Sequence, residues 1–323
     1  MDTERNIKVA VLLATYNGSR YIDPQLRSLK ENSVPFTLHW LDDHSSDDTR
    51  GAVRTAALSA GIRLHEWRDT EHHGVPGSYF RLLEQVEADI YLFCDQDDIW
   101  EPGKIDATVG SLLPDSTSPA LCFTDLLIFR DSEPGVLQRM YDFGPDGNVA
   151  SLLGESKMCM FMPGCASAQT QGFTRPLRDI FLKHKSTAQT YAAMHDWWMY
   201  DMAIASGVVR MLPNAPRVLC RRGHESFTTG LYPKTGHRLA RTWRTYQWVR
   251  RITSRHARGV ILATETLPPG PRLQRVLEPA RLVALLDRRQ SPAAAVRLAR
   301  YGRITVRGRL PMALISLFTD AQS

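Results

Sequence analysis

The sequence predicts an α/β fold: a mostly parallel, doubly wound sheet flanked by helices, with a basic helical region at the C-terminal end. Three observations predict it. Over residues 8 to 130, continuous apolar runs alternate with segments of helical period, the pattern of strands buried on both faces by crossover helices. Three of those runs close on polar clusters, Thr15-Tyr16-Asn17, Asp42-Asp43 and Asp95 to Asp98, and doubly wound sheets bind ligands beyond the carboxyl ends of their strands. Between Lys234 and Leu310 there are 18 Lys and Arg against 3 Asp and Glu, while the rest of the chain holds 22 against 31. That asymmetry marks a basic region attached to an acidic one.

The elements follow in order. KVAVLLATYN reads as a buried parallel strand. A helix follows, with Asp23 as N-cap, Pro24 at its first position and Ile22, Leu26 and Leu29 at helical spacing. FTLHWLDD is a second strand. HSSDDTRGAVRTAALSAG has a Ser/Asp-rich helix start and Gly61 as the stop. RLHEW is a short third strand, and SYFRLLEQVEA a helix with Tyr79, Leu82, Leu83 and Val86 on one face. DIYLFCDQDD is the next strand. A helix begins near Pro102 and carries Ile105, Val109 and Leu112. ALCFTDLLIF is one more strand, and MHDWWMYDMAIASG, residues 194 to 207, is helical.

The bulk numbers exclude several classes. With 323 residues, 43% apolar and 23% charged, the chain is long enough for one large α/β unit plus a smaller part. MDTERNIK is polar and of mixed sign, unlike a secretory leader. No apolar run approaches the ~20 residues of a membrane span. The expected setting is cytoplasmic. The five cysteines (94, 122, 159, 165 and 220) form no CxxC pair, which suggests buried thiols in a reducing compartment rather than a thiolate metal site.

The segment FCDQDDIW carries the chemistry. Asp95, Asp97 and Asp98 stand within four residues at the end of an apolar strand, and like charges this close resist ionising together. Clustered carboxylates are hard oxygen ligands suited to Mg²⁺ or Mn²⁺, and magnesium is usually held by one or two of them plus substrate phosphates. The bland reading is an acidic turn that caps the next helix. There is no GxxxxGK phosphate loop, no GxGxxG after the first strand, no GxSxG elbow and no HExxH helix. What remains is a metal-bound nucleotide diphosphate whose departure is the reaction.

VAVLLATYNGSRYI, LDDHSSDDT and FCDQDDIWEPGKI resemble the family 2 glycosyltransferases of the GT-A (Rossmann-like) fold. The resemblance continues more loosely in FMPGCASA, MHDWWMY and CRRGHESF, in the order found in the rhamnosyltransferase-type branch. It implies a nucleotide-sugar donor, best guessed as dTDP-L-rhamnose, inverting transfer to a hydroxyl of a cell-surface glycan or glycolipid, and a divalent metal, Mn²⁺ or Mg²⁺. It implies Asp97 and Asp95 as metal ligands, with Asp98 orienting locally. It puts Thr15, Tyr16, Asn17 and Asp43 around the nucleotide, Asp43 facing the base. It gives Asp196 the general-base role, Trp197 and Trp198 stacking on sugar with at least one of them buried, Gly164 and Cys165 shaping the sugar pocket, and His224 with Arg222 (or Arg221) contacting the diphosphate. His72 and His73 are expected to be solvated. Residues 1–230 would form the catalytic domain and 231–323 the Arg-rich helical region.

In that region Leu239, Trp243, Tyr246, Val249 and Ile252 share one helical face, with Arg238, Arg241, Arg244, Arg251, Arg255 and Arg258 around the rest. Two readings stay open: an amphipathic helix on an anionic membrane surface, or a helix packed on the catalytic domain. No nucleic-acid motif accompanies the charge. Two rival functions are a sugar-nucleotide pyrophosphorylase, whose phosphate signature ATYNGSRY lacks, and a non-catalytic nucleotide- or sugar-binding module.

Overall fold

The computed structural model describes residues 7–131, 135, 137–139, 171–212, 214–221, 251–252 and 254–285. In chain order the elements are β1 (Val9–Thr15), α1 (Ile22–Leu29), β2 (Thr37–Asp42), α2 (Thr49–Ala60), β3 (Leu64–Trp67), α3 (Gly74–Gln85), β4 (Ile90–Cys94), β5 (Ile99–Trp100), α4 (Lys104–Leu112), β6 (Ala120–Thr124), β7 (Leu126–Phe129) and β8 (Gln138–Arg139). Then come β9 (Gln171–Thr174), α5 (Arg175–Lys183), α6 (Lys185–Tyr191), α7 (His195–Ser206), β10 (Val208–Leu212), β11 (Val218–Arg221), helical residues 254–264, here α8, and α9 (Pro271–Leu285).

Seven strands form the main sheet in the order β10-β6-β9-β4-β1-β2-β3. All neighbours are parallel except β9, which runs antiparallel between β4 and β6. The sheet divides two cores because successive side chains of a strand point to opposite faces. Ala10 and Leu12 of β1 join α3, α5 and α7 on one face, while Val9, Val11 and Leu13 join α1, α2 and α4 on the other. A second sheet, β5-β11-β7-β8, lies alongside.

Local differences from the sequence reading have local causes. Helix α1 starts after Tyr21, so Asp23 is a first-turn acid paired with Arg27 rather than the cap. ALCFTDLLIF is two strands in different sheets. The buried Asp125 accepts the N–H of Leu126 on its own carboxylate, which interrupts the ladder where β6 gives way to β7. Strand β9 is too short to show a period, and its Gly172 lets the backbone pass where a Cβ would stand 2.2 Å from Thr108 Cγ2. Gly61 does end α2, in the left-handed conformation (φ 68°) that glycine adopts without a Cβ penalty.

The C-terminal helices complete the α7 side. Ala257, Val260 and Ala263 of α8 and Leu273, Val276, Leu277 and Ala280 of α9 share one core with Trp198, Met199, Met202 and Ala203. His256 is buried with Asp201, Nε2 to Oδ2 at 2.9 Å, and its Nδ1 accepts the Ala193 N–H at 3.1 Å. The guanidinium of Arg255, on the exposed side, donates to the Thr190 carbonyl. For these helices, packing against α7 is the arrangement observed. Leu239, Trp243, Tyr246, Val249, Arg238, Arg241 and Arg244 lie outside the described residues. No helix among the described residues is long and apolar enough to cross a membrane.

Candidate active site

The ends of β1, β2 and β4 meet, held by side chains that no short motif announces. Thr15 pairs with Asp42 across the sheet, donates to its carboxylate at 2.8 Å and accepts the indole N–H of Trp40 at 2.9 Å. Buried Thr15 therefore supports the loop from beneath. Burial opposes ionisation of Asp42, but hydrogen bonds from Ser45, Arg50 and Thr15 hold its carboxyl below the usual range. Asn17 takes a left-handed backbone (φ 47°), which Asn tolerates better than most residues. Its N–H donates to Ser45 Oγ, and its side-chain carbonyl accepts the Ser46 N–H. Tyr16, the residue between, is 38% exposed.

The β4 end is joined to this loop by Gln96. Its amide accepts the Tyr16 N–H at 2.9 Å and donates to the Tyr16 carbonyl at 3.1 Å. A Cβ at Gly18 would lie 2.3 Å from Gln96 Oε1, so glycine there permits the pairing. Asp95 and Asp97 are half-buried, whereas Asp98 is 2% exposed. Burial, then the charges of Asp97 and Asp95, push the Asp98 carboxyl well above the carboxylate range. Its Oδ1 accepts the N–H of Arg221, on the β11 strand that pairs with β5. The Arg221 guanidinium donates to the Asp97 carbonyl and pairs with Asp131, lying over Phe129 and Tyr21. So Asp98 and Arg221 fasten the acidic turn from behind, as the sequence reading expects of Asp98. Among the described residues, no group of three or more His, Cys, Asp or Glu side chains is arranged to hold a metal ion alone.

Asp43 is more occupied than a waiting acceptor would be. Its Oδ1 accepts the His73 N–H at 2.7 Å, its Oδ2 accepts the Gly74 N–H at 2.8 Å, and His72 Nδ1 lies 3.0 Å from Oδ2. The carboxylate thus ties down the N-terminal end of α3, where backbone donors favour an anion. His72 is solvated as expected, its side chain 51% exposed, whereas His73 is only 17% exposed. His72 packs on Tyr16, ring centroids 5.3 Å apart, and His73 Nε2 lies 3.0 Å from Asp69.

Helix α7 brings the third side. Asp196 sits in its first turn but is only 7% exposed; it accepts the Trp197 N–H at 2.9 Å, and its carbonyl accepts Gln171 of β9. The neighbouring His195 is fully enclosed, stacked on Tyr79 at 4.0 Å and edge-on to Phe93 at 4.7 Å, and burial pushes its imidazole down to about 3. The Tyr79 hydroxyl in turn contacts the Cys94 carbonyl at 2.7 Å and Asp95 Oδ1 at 2.9 Å. Asp196 and Asp95 are therefore linked through one aromatic stack. Trp197 is half-buried, with His256 edge-on at 5.9 Å. Trp198 is completely buried in the α7–α8 core, so its ring has no face for a sugar, and the expectation for it is corrected. Gly164, Cys165, Arg222 and His224 lie outside the described residues.

Asp42, Gln96, Tyr79 and Gln171 complete the site without having been singled out for it. Only Asp42 had a signal, as half of a strand-end Asp pair. The others act through neighbours 16 to 80 positions away in sequence.

Residues 10–125 match the family model described as glycosyl transferase family 2. A dTDP-rhamnosyl transferase of Shigella flexneri, RfbG, is 25% identical over 227 residues, 68% of this chain and 73% of that protein. Two solved structures share the fold. One is the mannosyltransferase PcManGT of Pyrobaculum calidifontis in complex with GDP-Man and Mn²⁺ (17% identity, 97% of this chain and 79% of that one, TM-score 0.54). The other is S. aureus TarS 1–349 in complex with UDP-GlcNAc (16% identity, 91% and 89%, TM-score 0.50). Residues 10–125 thus match a glycosyl transferase family 2 domain, and the fold around them is that of the GT-A glycosyltransferases.

Proposed function

We propose that the protein transfers a sugar, with inversion, from a nucleotide diphosphate to a hydroxyl of a cell-surface glycan or glycolipid, using a divalent metal. The observation that supports this is the convergence of the β1, β2 and β4 ends, with the acidic turn of Asp95 and Asp97 joined through Tyr79 to His195, the residue before Asp196. The exposed ring of Tyr16, with Asn17 beside it, offers a wall for the nucleotide. Asp43 keeps its place in that wall by anchoring the 72–74 loop. A base-facing role would require it to trade one of its backbone partners.

Asp97 and Asp95 fit a hard divalent ion: they are half-buried carboxylates, too few to enclose an ion alone, as suits one completed by phosphate oxygens and water. When bound, the metal neutralises charge on the departing diphosphate. Asp196 accepts the proton of the attacking hydroxyl. Its low exposure limits competing water, and a positioned general base contributes about 10²–10⁴-fold. His195, neutral at pH 7, is an unsuitable cation for the leaving group.

The likeness to RfbG supports dTDP-L-rhamnose as donor. The division into a catalytic domain, 1–230, and an Arg-rich region, 231–323, rests on charge composition; α8 and α9 nevertheless share the α7 core. A cytoplasmic setting, with contact between basic residues and anionic lipid when the acceptor is lipid-linked, rests on the same composition.

The test is isothermal titration with dTDP, UDP and GDP, with and without Mn²⁺, for wild type and Asp97→Ala. One diphosphate should bind in a manner that needs both Mn²⁺ and Asp97. Absence of metal-dependent binding to all three would overturn the metal assignment and leave a metal-independent transferase or a binding module.

A further inference from the structure

The geometry points to Tyr79 as a positioning residue for Asp95, fixing a carboxylate that would hold the metal and tying it to the segment that carries Asp196. This rests on the proposed reading of Asp95 and Asp97 as ion ligands. Tyr79 lies on α3, 1% exposed, with no role in the sequence argument beyond an apolar helix face. Its ring is fixed on two sides, stacked on His195 at 4.0 Å and edge-on to Phe93 at 5.2 Å. The hydroxyl therefore stands where α3–β4 packing puts it.

A buried tyrosine needs one partner for its O–H, and the Cys94 carbonyl at 2.7 Å is sufficient. The second contact, 2.9 Å to Asp95 Oδ1, is surplus to that need. It lands on the first carboxylate beyond the strand. One hydroxyl proton is shared between the two acceptors, so Asp95 is held at one oxygen by a group that cannot swing away. Groups that orient metal ligands in this way typically change metal affinity by about 10- to 100-fold when removed. The face of the same ring carries His195, whose neighbour is Asp196. One side chain thus touches both Asp95 and the residue that precedes Asp196.

The experiment measures dTDP affinity with and without Mn²⁺ for wild type, Tyr79→Phe and Asp97→Ala. In Tyr79→Phe the gain in affinity given by Mn²⁺ should fall by about 10-fold or more, with metal-free affinity unchanged. 4-Aminophenylalanine placed at position 79 returns a donor to the same point and should restore the gain; a role in core packing alone would not give this rescue. If Tyr79→Phe does not fold, 4-methylphenylalanine at position 79, which fills the volume without a donor, takes its place. A Mn²⁺ gain within about twofold of wild type in a folded variant, with Asp97→Ala abolishing it, overturns the role of Tyr79 and spares the metal reading. A Mn²⁺ gain that survives Asp97→Ala, or none in wild type, overturns both.

Discussion

His195 makes acid stability a test of the buried link between the two halves of the site. The ring is 1% exposed, and neither nitrogen has a hydrogen-bond partner among the described residues. Burial lowers its pKa from 6.5 to about 3. The unfolded chain takes up a proton as pH falls through 6.5, while the folded chain does not until about 3. The unfolded state binds more protons in that window, so stability falls with falling pH by about 1.4 kcal/mol per unit. Between pH 6.5 and pH 4 the loss amounts to roughly 3 kcal/mol, a large part of the 5–15 kcal/mol typical of a native protein. The perturbation is His195→Phe, which keeps an aromatic ring between Tyr79 and Phe93 and removes the titration. Urea unfolding followed by tryptophan fluorescence at pH 8, 7, 6, 5 and 4 supplies the difference between the two proteins. That difference should be flat above pH 7 and swing by roughly 3 kcal/mol in favour of the variant by pH 4. Parallel pH profiles would refute the reasoning, because they would mean that His195 finds water or a partner for its charge.

Other expectations address the rest of the site. Asp196→Asn should lower kcat by about 10²–10⁴-fold while leaving donor binding, measured by titration, close to wild type. Asp98→Asn should keep Mn²⁺-dependent dTDP binding, because burial already drives that carboxyl toward its neutral form, whereas Asp97→Asn should lose it. Gly18→Ala should weaken nucleotide binding: the added methyl meets Gln96, whose amide ties the β1 loop to the β4 turn. A crystal structure with Gln96 still paired to Tyr16 would contradict that explanation. His256→Leu should destabilise the fold by about 3–5 kcal/mol by leaving the Asp201 carboxylate buried without its partner. Chemical denaturation measures this, and a change below about 1 kcal/mol would show that α8 is not needed to hold α7.

Much of the fold was legible because its signal is local. Val9 to Thr15 and Ile90 to Cys94 are continuous apolar runs, and a parallel strand covered on both faces can hardly read otherwise. Ile22, Leu26 and Leu29 repeat at helical spacing and are fully buried. The strand-end clusters were legible for the same reason, since a polar residue just beyond a buried run is where a crevice of this sheet must lie. Short or interrupted pieces were not. Strand β5 has two residues and β9 four, less than a period can reveal, and the break at Asp125 depends on one side chain bonding the next backbone N–H.

By itself, then, the sequence determined the alternation of strands and helices, the acidic turn beyond β4 and the match of residues 10–125 to glycosyl transferase family 2. Each of these is written in residue type and spacing along the chain. Tertiary structure alone decided which of the clustered polar groups does what. It buried Asp98 and set Arg221 behind it, gave Asp43 to the start of α3, removed Trp198 to the core and placed the Tyr79 hydroxyl on Asp95. The reason is physical: a carboxylate's state and partners depend on burial and on donors supplied by distant segments, and neither is a property of the few residues beside it.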